Sequence, residues 1–455
     1  MKPLLLSFVL FLAACLLLAP SVHAEDAPAA RPPLYGLYCW AGGYLQYADD
    51  IHKVGLRSLR VGGWHDKDTA DKAALLAAAN GVALQPILGL GELSHARTLP
   101  LDQAVEKYRS LTRDAVARYG PGGSLWKENP NVKPLPIRTW QIWNEPNIEF
   151  LNPDGAALLR TEFYAKLLTA ASEEIRKLDP AATIIAFNTA GGCPYQGRGV
   201  PPDGMFQKLK YIGWRKFIRD VATEVGQKSF DAIGTHPYSQ PAGPEGHVDK
   251  GLEMIRELFT ELRFTKDIYF TEVGYPVEYP NNLAVRDAAQ QAAFTVRLFA
   301  ISAAHGVTQV QIMFVEDIVY GPDSTRRSFG FFTAPGVWRD QATATRVMIK
   351  LIPDPRQDAK VLMEEPDGVW AYQFTGVGGL PIVMAWNAGK GTVEKEIPIP
   401  NACVQVDMVG KVILREVAPK DARTAKVQLS ETPMYFISQP NYLEPHLTID
   451  ELLKK

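Results

Sequence analysis

The sequence predicts an α/β fold, a (β/α)₈ TIM barrel followed by a small C-terminal all-β domain. From Leu34 to about Leu351, short apolar or β-branched runs alternate with longer amphipathic stretches, as in βα units around a parallel sheet. Eight strands can be placed, which is the number that closes such a barrel. The predicted strands are Leu34 to Cys39, Ser58 to Gly62, Ala83 to Leu88, Thr139 to Trp143, Thr183 to Asn188, Ala232 to His236, Asp267 to Thr271 and Gln309 to Val315.

The stretches between these strands have the spacing of helices that pack one face on a sheet. Before Pro180, which ends the helix, apolar residues recur at intervals of three and four. They are Phe163, Leu167, Leu168, Ala171, Ile175 and Leu178.

A second domain is expected because the 455 residues of the chain exceed the roughly 250 that one barrel needs. After a helix over Asp340 to Leu351 and a linker over Pro353 to Asp358, the pattern changes to short alternating strands, typical of a small β-sandwich. We therefore expect the barrel over 34–352, the β-domain over 359–440 and a tail over 441–455. The clearest strands of the β-domain are Val369 to Phe374, Ile382 to Trp386, Cys403 to Asp407 and Met434 to Ile437.

The N-terminus resembles a secretory signal peptide over residues 1–24, with an Ala/Pro-rich tether over 25–33. Lys2 precedes an apolar run from Leu4 to Ala19, and cleavage is expected after Ala24. We therefore expect export to the periplasm or beyond the cell. Two alternatives stay open, an uncleaved membrane anchor and a lipoprotein whose lipid is carried by Cys15.

The composition excludes several classes of function. With 46% hydrophobic residues, 22% charged residues and a net charge of −2, the chain is typical of a soluble globular protein without a nucleic-acid-binding basic patch. Beyond the signal peptide, the odd set Cys39, Cys193 and Cys403 implies no disulfide framework. No Cys or His spacing indicates a zinc site, so we expect no metal and no cofactor.

Two strand ends carry the residues expected to do chemistry. The fourth predicted strand runs into Asn144-Glu145-Pro146, and the proline is expected to keep Glu145 extended. The seventh predicted strand ends at Thr271-Glu272. Barrel enzymes keep their catalytic residues at the carboxyl ends of the strands, where both glutamates would meet. A carboxyl pair about 5 Å apart is typical of retaining glycosidases, and a wider gap of inverting ones.

Other residues at the same rim are candidates for binding and orientation. Arg60 ends the second strand and would hold Glu272 ionised, while His236 and Tyr238 could donate hydrogen bonds to Glu272 or to sugar hydroxyls. Both Asn144 and Glu145 can face the cleft only if the end of the fourth strand bends or bulges. Aromatic residues expected to stack on sugar rings are Trp40, Trp64, Tyr238 and Tyr275.

The segment Trp140 to Asn147, the His236 to Tyr238 motif, Thr271-Glu272 and the trailing β-domain resemble the clan A glycoside hydrolases. The chain most resembles family 39 and the bacterial endoglycosidases that cut exopolysaccharides. This resemblance implies that Glu145 is the acid/base, that Glu272 is the nucleophile, and that Asn144 binds the sugar 2-hydroxyl.

The sequence thus predicts a retaining glycosidase that acts on a polysaccharide. Two alternatives stay open, a transglycosylase with the same catalytic pair and an inactive barrel that binds polysaccharide. A carbohydrate-binding role for the β-domain would use Trp370, Tyr372 or Trp386 as an exposed platform, although their alternation with small residues favours a place in the core.

Overall fold

The computed structural model describes the chain from residue 32 to residue 438, with short gaps. The described ranges are 32–64, 66–89, 99–148, 157–193, 212–320, 325–400, 403–414, 417 and 422–438. The predicted signal peptide and the C-terminal tail lie outside these residues, as does most of the tether. Within the described residues, no helix has both the length and the apolar character needed to cross a bilayer.

Eight parallel strands form a closed barrel, β1 to β8 in sequence order, which confirms the predicted fold class. The predicted bounds of β2, β3 and β6 agree with the observed ones. Those of the other five strands differ by one to three residues at one or both ends. The strands are β1 Tyr35–Trp40, β2 Ser58–Gly62, β3 Ala83–Leu88, β4 Thr139–Ile142, β5 Thr183–Ala190, β6 Ala232–His236, β7 Asp267–Val273 and β8 Gln309–Ile312.

Helices surround the barrel and turn apolar faces towards it. The helix Trp214–Val225, for example, buries Phe217, Ile218 and Val221 on one side, and Gly226 follows its last residue. The other helices are Ala41–Val54, Lys67–Asn80, Leu101–Tyr119, Ser124–Glu128, Ala157–Leu178, Val248–Leu262, Ala288–Ala304 and Asp340–Leu351.

Two small hairpins that the sequence pattern does not predict follow β8 at the carboxyl-terminal face of the barrel. The first consists of β9 Ile318–Tyr320 and β10 Thr325–Arg327, the second of β11 Phe332–Ala334 and β12 Val337–Trp338. Strands of two or three residues are too short to give an alternating pattern, which is why they escaped prediction.

The C-terminal region contains a six-stranded antiparallel sheet and a separate two-stranded sheet, as expected for an all-β domain. The large sheet has the order β13-β14-β15-β20-β17-β18, and β16 pairs with β19. These strands are β13 Lys360–Glu364, β14 Val369–Thr375, β15 Pro381–Asn387, β16 Val393–Pro398, β17 Cys403–Asp407, β18 Val412–Leu414, β19 Thr424–Leu429 and β20 Met434–Ser438.

The two faces of the six-stranded sheet bury different residues. Val369, Ala371 and Phe436 share one cluster with Val427 and Leu429 of the two-stranded sheet. On the opposite face, Trp370, Tyr372 and Trp386 belong to the main core, with exposed fractions of 2%, 0% and 0%. The exposed aromatic platform considered for carbohydrate binding is therefore wrong, because these rings fill the core.

A buried ion pair of the barrel also accepts a hydrogen bond from the β-domain. Arg297 of the helix Ala288–Ala304 is bound to Glu245, with Nε 2.6 Å from Oε1, and the two side chains are 2% and 4% exposed. Trp386 of β15 donates its indole N–H to the same Glu245 oxygen at 2.8 Å. Glu245 lies in the loop after β6 that begins with Tyr238, so the β-domain helps to fix that loop.

Replacing Arg297 by methionine is expected to lower the free energy of unfolding by about 3–5 kcal/mol, because the buried Glu245 carboxylate loses its counter-charge. The measurement is urea denaturation followed by tryptophan fluorescence. The matched control is Arg286→Met, which removes the exposed ion pair with Glu431 and should cost about 1 kcal/mol or less. Equal losses in both variants would contradict a special role of the buried pair.

Candidate active site

The two predicted glutamates lie at the carboxyl ends of their strands. Glu272 is the penultimate residue of β7, and Glu145 follows β4 by three residues. Both side chains are partly accessible, 12% for Glu272 and 20% for Glu145. One oxygen of each carboxylate and one ring nitrogen of His236 all lie within 4.8 Å of one another. The structure therefore brings the two carboxylates together across the mouth of the barrel.

The chain bends sharply after β4. A bend or bulge at this point was expected, because without it Asn144 and Glu145 could not both face the cleft. Trp143 and Glu145 have φ angles of 62° and 48°, in the left-handed region. The expectation that Pro146 keeps Glu145 extended is therefore wrong. Tertiary contacts override the local preference, because the Glu145 N–H donates to the Asn188 carbonyl at 2.9 Å and its own carbonyl accepts from the Ile148 N–H at 3.2 Å.

Asn147 fixes the loop that carries Glu145. It is fully buried, its amide group donates to the Ala190 and Ile212 carbonyls at 3.0 Å each, and its side-chain oxygen accepts from the Ala190 N–H at 2.9 Å. Two of these three hydrogen bonds join the loop to the end of β5, and the third joins it to Ile212. The role of Asn147 was not predicted, although its place in the Asn-Glu-Pro-Asn run was a signal.

Glu272 is held by a cation and a phenol. Arg60 Nη1 donates to Glu272 Oε2 at 2.8 Å, and the Tyr238 hydroxyl donates to Oε1 at 2.8 Å. Burial raises the pKa of Glu272, but the nearby His236 and Arg60 and the hydrogen bonds from Tyr238 and Arg60 outweigh it, so the pKa lies below its ordinary value. The arrangement keeps this carboxylate ionised, as expected for Arg60.

Arg60 is itself fixed from several sides inside the barrel. Its side chain is fully buried, Nε donates to Gln141 Oε1 at 2.8 Å, and the guanidinium lies over the Tyr38 ring at 4.1 Å from the centroid. Its Nη2 donates to Asn144 Oδ1. Arg60 therefore connects Asn144 to Glu272. Gln141 was missed in the sequence, although a polar residue between Trp140 and Ile142 in a buried strand indicates an inward-facing contact.

Glu145 has a different neighbour from Glu272. His236 is fully buried, with Nδ1 2.9 Å from Glu145 Oε1 and Nε2 3.1 Å from the Thr271 hydroxyl. Tyr238 reaches Glu272 as expected, whereas His236 contacts Glu145 instead. Because a threonine hydroxyl both donates and accepts, either neutral tautomer of His236 can be satisfied. The ring can therefore serve Glu145 whether that carboxyl carries a proton or not.

Two of the aromatic residues expected to stack on sugars are buried elsewhere. Trp64 is 7% exposed and packs edge-on against Tyr119, with centroids 4.9 Å apart. Tyr275 is 1% exposed, packs against Phe294, and shares a hydrogen bond with Ser239. These contacts bury both rings, so the structure does not support a sugar-stacking role for Trp64 or Tyr275.

Trp40 differs from these two rings because it is only partly buried. It is the last residue of β1, and its ring lies against Gly62, where a Cβ atom would come within 2.4 Å of the indole. Glycine at position 62 therefore allows the indole to cross the end of β2. Trp40 stays a candidate for contact with a sugar ring.

Glu145, His236 and Glu272 could also be regarded as ligands for a metal ion, since their ligand atoms cluster. The surroundings argue against that use. Both oxygens of Glu272 already accept hydrogen bonds, and one comes from the Arg60 guanidinium, whose charge would repel a cation at the same place. The donor set fits carboxylate chemistry better than metal binding.

Comparisons with known proteins agree with this fold. No family model and no curated protein matches the sequence. Among solved structures, the chain is similar to a family 39 glycoside hydrolase from Bacteroides cellulosilyticus WH2, with 16% identity and a TM-score of 0.62, covering 90% of this chain and 81% of that one. It is also similar to a family 39 β-xylosidase from Caulobacter crescentus, with 15% identity, a TM-score of 0.54 and coverage of 92% and 98%.

A third similar structure is a family 51 arabinofuranosidase from Xanthomonas axonopodis pv. citri. The identity is 12% and the TM-score is 0.56, over 91% of this chain and 98% of that chain. All three are glycoside hydrolases by name, and at these identities the likeness establishes a shared fold. What the site does must be argued from its own residues.

Proposed function

We propose that the protein is a retaining glycoside hydrolase that cleaves a polysaccharide by double displacement, with Glu145 as acid/base and Glu272 as nucleophile. The observation that carries the proposal is the carboxylate pair, with one oxygen of each within 4.8 Å at the mouth of the barrel. Retaining glycosidases place their carboxyl groups about 5–5.5 Å apart, because no water has to fit between the nucleophile and the sugar.

In the first step, a Glu272 oxygen attacks the anomeric carbon while the bond from that carbon to the leaving oxygen breaks. Glu145 donates its proton to the leaving oxygen, and a glycosyl ester with Glu272 remains. Arg60 and Tyr238 favour the ionised nucleophile before attack. Glu145 has a histidine as its neighbour, and among the described residues no guanidinium is hydrogen-bonded to it, so it is suited to carry the proton.

In the second step, a water molecule replaces the departed sugar or alcohol. The Glu145 carboxylate takes a proton from water, the water oxygen attacks the anomeric carbon, and the ester bond to Glu272 breaks. Glu145 must therefore gain and lose a proton in every cycle. The pairing of His236 with Thr271 supports this alternation, because the ring can donate to the carboxylate or accept from the acid by changing tautomer.

A polysaccharide substrate and export from the cell belong to the same proposal. The apolar N-terminal run of the sequence supports export of the protein. An exported protein can reach glycans that lie outside the cytoplasm. Two similar structures are, by name, a bifunctional glucanase-xylanase from a metagenome library and a xyloglucanase from Paenibacillus polymyxa. These names support a polymer as the substrate class.

The test is release of reducing ends from a panel of bacterial exopolysaccharides and plant β-glycans. We expect the native protein to cut at least one glycan and Glu272→Gln, with folding confirmed by circular dichroism, to cut none. New and longer oligosaccharides in place of free reducing ends would indicate a transglycosylase. Equal behaviour of the two proteins on every glycan would favour a barrel that only binds polysaccharide.

Replacing Tyr238 by phenylalanine is expected to move the acidic limb of the kcat/KM profile to higher pH, by about one unit. The lost hydrogen bond is one of the causes that lower the pKa of Glu272, so this pKa rises when the hydroxyl is removed. Activity should therefore fall at acidic pH and change less near neutrality. The control is Tyr279→Phe, since the contacts among the described residues include no hydrogen bond from Tyr279 to Glu272. An acidic limb that does not move in Tyr238→Phe would contradict the assignment.

A further inference from the structure

A glutamine inside the barrel contacts the supports of both carboxylates. Gln141 of β4 is fully buried. Its Oε1 accepts from Arg60 Nε at 2.8 Å and from Gln85 Nε2 at 3.3 Å. Its Nε2 donates to the Trp143 carbonyl at 2.8 Å. One amide group therefore joins Arg60 of β2 to the chain that leaves β4.

The contact with Trp143 bears on the position of Glu145. Trp143 has a φ angle of 62°, a left-handed conformation that residues with a side chain rarely adopt and that persists only where surrounding contacts hold it. The Trp143 N–H donates to the Leu88 carbonyl at 3.2 Å, and its own carbonyl accepts from Gln141. The bend that aims Asn144 and Glu145 into the cleft therefore depends in part on Gln141.

The contact with Arg60 bears on the position of Glu272. A guanidinium is a rigid plane, so the direction of one N–H group sets the direction of the others. Arg60 Nε donates to Gln141, while Nη1 donates to Glu272 Oε2 at 2.8 Å. Its Nη2 donates to Asn144 Oδ1. By fixing Nε, Gln141 fixes the plane that holds the Glu272 carboxylate.

A second buried glutamine provides a comparison from the same interior. Gln309, the first residue of β8, is 2% exposed, and its Nε2 donates to the Ser58 hydroxyl at 2.7 Å. Among the described residues, its side chain has no hydrogen bond to Arg60 or to Trp143. Both glutamines fill the interior of the barrel, whereas the link to the catalytic pair belongs to Gln141.

We propose that Gln141 is a positioning residue for the reaction, which fixes Glu145 and Glu272 relative to each other. It acts through the Trp143 carbonyl and the Arg60 guanidinium. The inference rests on the proposed function, because the two carboxyl groups must reach the same glycosidic bond. An error of about 1 Å in such a geometry can cost about a hundredfold in rate.

The experiment compares two replacements of Gln141 with a matched replacement of Gln309. Gln141→Met keeps a side chain of similar length but makes neither hydrogen bond. Gln141→Glu can still accept from Arg60 but, when ionised, cannot donate to Trp143. Gln309→Met is the control, because it removes a buried glutamine that has neither link. Rates on a cleaved glycan give kcat and KM from acidic to neutral pH, and thermal denaturation gives the loss of stability in each variant.

We expect Gln141→Met to lower kcat by about tenfold to a hundredfold, because the carboxylates lose their common support. The value of KM should change by about threefold or less, since the groups that bind the sugar stay in place. Gln309→Met should lower the melting temperature by a comparable amount and keep kcat close to the native value.

Gln141→Glu should move the acidic limb of the kcat/KM profile to higher pH. The new negative charge beside Arg60 offsets part of the positive charge that favours ionised Glu272, so the pKa of Glu272 rises. The other titratable groups beside Glu272 are unchanged in all three variants. They are Glu145, His236 and Tyr238.

Two results would overturn the inference. One is a kcat of Gln141→Met that falls no further than that of Gln309→Met. The other is an acidic limb that stays at its native pH in Gln141→Glu.

A third readout needs no hydrolysis. Carbon NMR of labelled glutamate carboxyl groups, with the signal of Glu272 identified by its loss in Glu272→Gln, gives the pKa of Glu272 directly. If the native protein cut no glycan, the proposed function would fail. The link from Gln141 to Glu272 would then be supported by a pKa that rises in Gln141→Glu and not in Gln309→Met, and contradicted by any other result.

Discussion

Glu272→Gln is expected to lower kcat by at least about a thousandfold on any glycan that the native protein cuts. The glutamine keeps the size of the side chain but cannot form the glycosyl ester. The Arg60 and Tyr238 donors that hold the carboxylate would then face a neutral amide. The measurement is the initial rate of reducing-end release, with folding checked by thermal denaturation.

The matched control is Asp267→Asn, which removes an exposed carboxylate at the opposite end of the same strand. It should keep nearly full activity. A second variant, Glu272→Gly, should regain turnover of an activated aryl glycoside when azide is added, and the glycosyl azide should have the opposite anomeric configuration to the substrate. Azide then occupies the place of the lost carboxylate, so an azide product of unchanged configuration would contradict the role of Glu272.

Glu145→Ala is the second large effect that we expect, a fall of about 10²–10⁴-fold in kcat/KM on natural glycans. The loss should be far smaller for the first step with aryl glycosides whose leaving group needs no proton. The glycosyl ester would then accumulate, because no group activates water for the second step. The measurement is a burst of released phenol followed by a slow steady rate.

Azide distinguishes Glu145 from Glu272. In Glu145→Ala, azide attacks the glycosyl ester from the side of the missing acid/base, so the product should keep the anomeric configuration of the substrate. His236→Asn is a useful comparison, because it leaves both carboxylates in place and removes the ring beside Glu145. An equal loss on natural and activated substrates in Glu145→Ala would argue against proton transfer by this residue.

Much of this architecture could be predicted from the sequence. The period of the apolar runs gave the eight barrel strands, and the polar residues directly after β4 and within β7 indicated the catalytic face, since parallel strands end at one rim. Arg60 was correctly expected beside Glu272, although it lies in the middle of β2 and not at its end, and its buried side chain reaches the carboxylate from inside the barrel.

The remaining features depend on contacts between distant segments. The left-handed conformation of Glu145 is set by the carbonyl of Asn188, which lies on the neighbouring strand. Trp64 and Tyr275 looked like sugar-stacking residues, and only the packing of Tyr119 and Phe294 shows that they are buried. Local pattern cannot reveal which aromatic residues after a strand have a free face.

The most direct test of the central claim is the anomeric configuration of the first product, followed by proton NMR immediately after the native protein is added to its glycan. The carboxylate pair within 4.8 Å predicts that the new reducing end appears first in the configuration of the cleaved bond and mutarotates later. First appearance of the opposite anomer would contradict double displacement and the role of Glu272 as nucleophile.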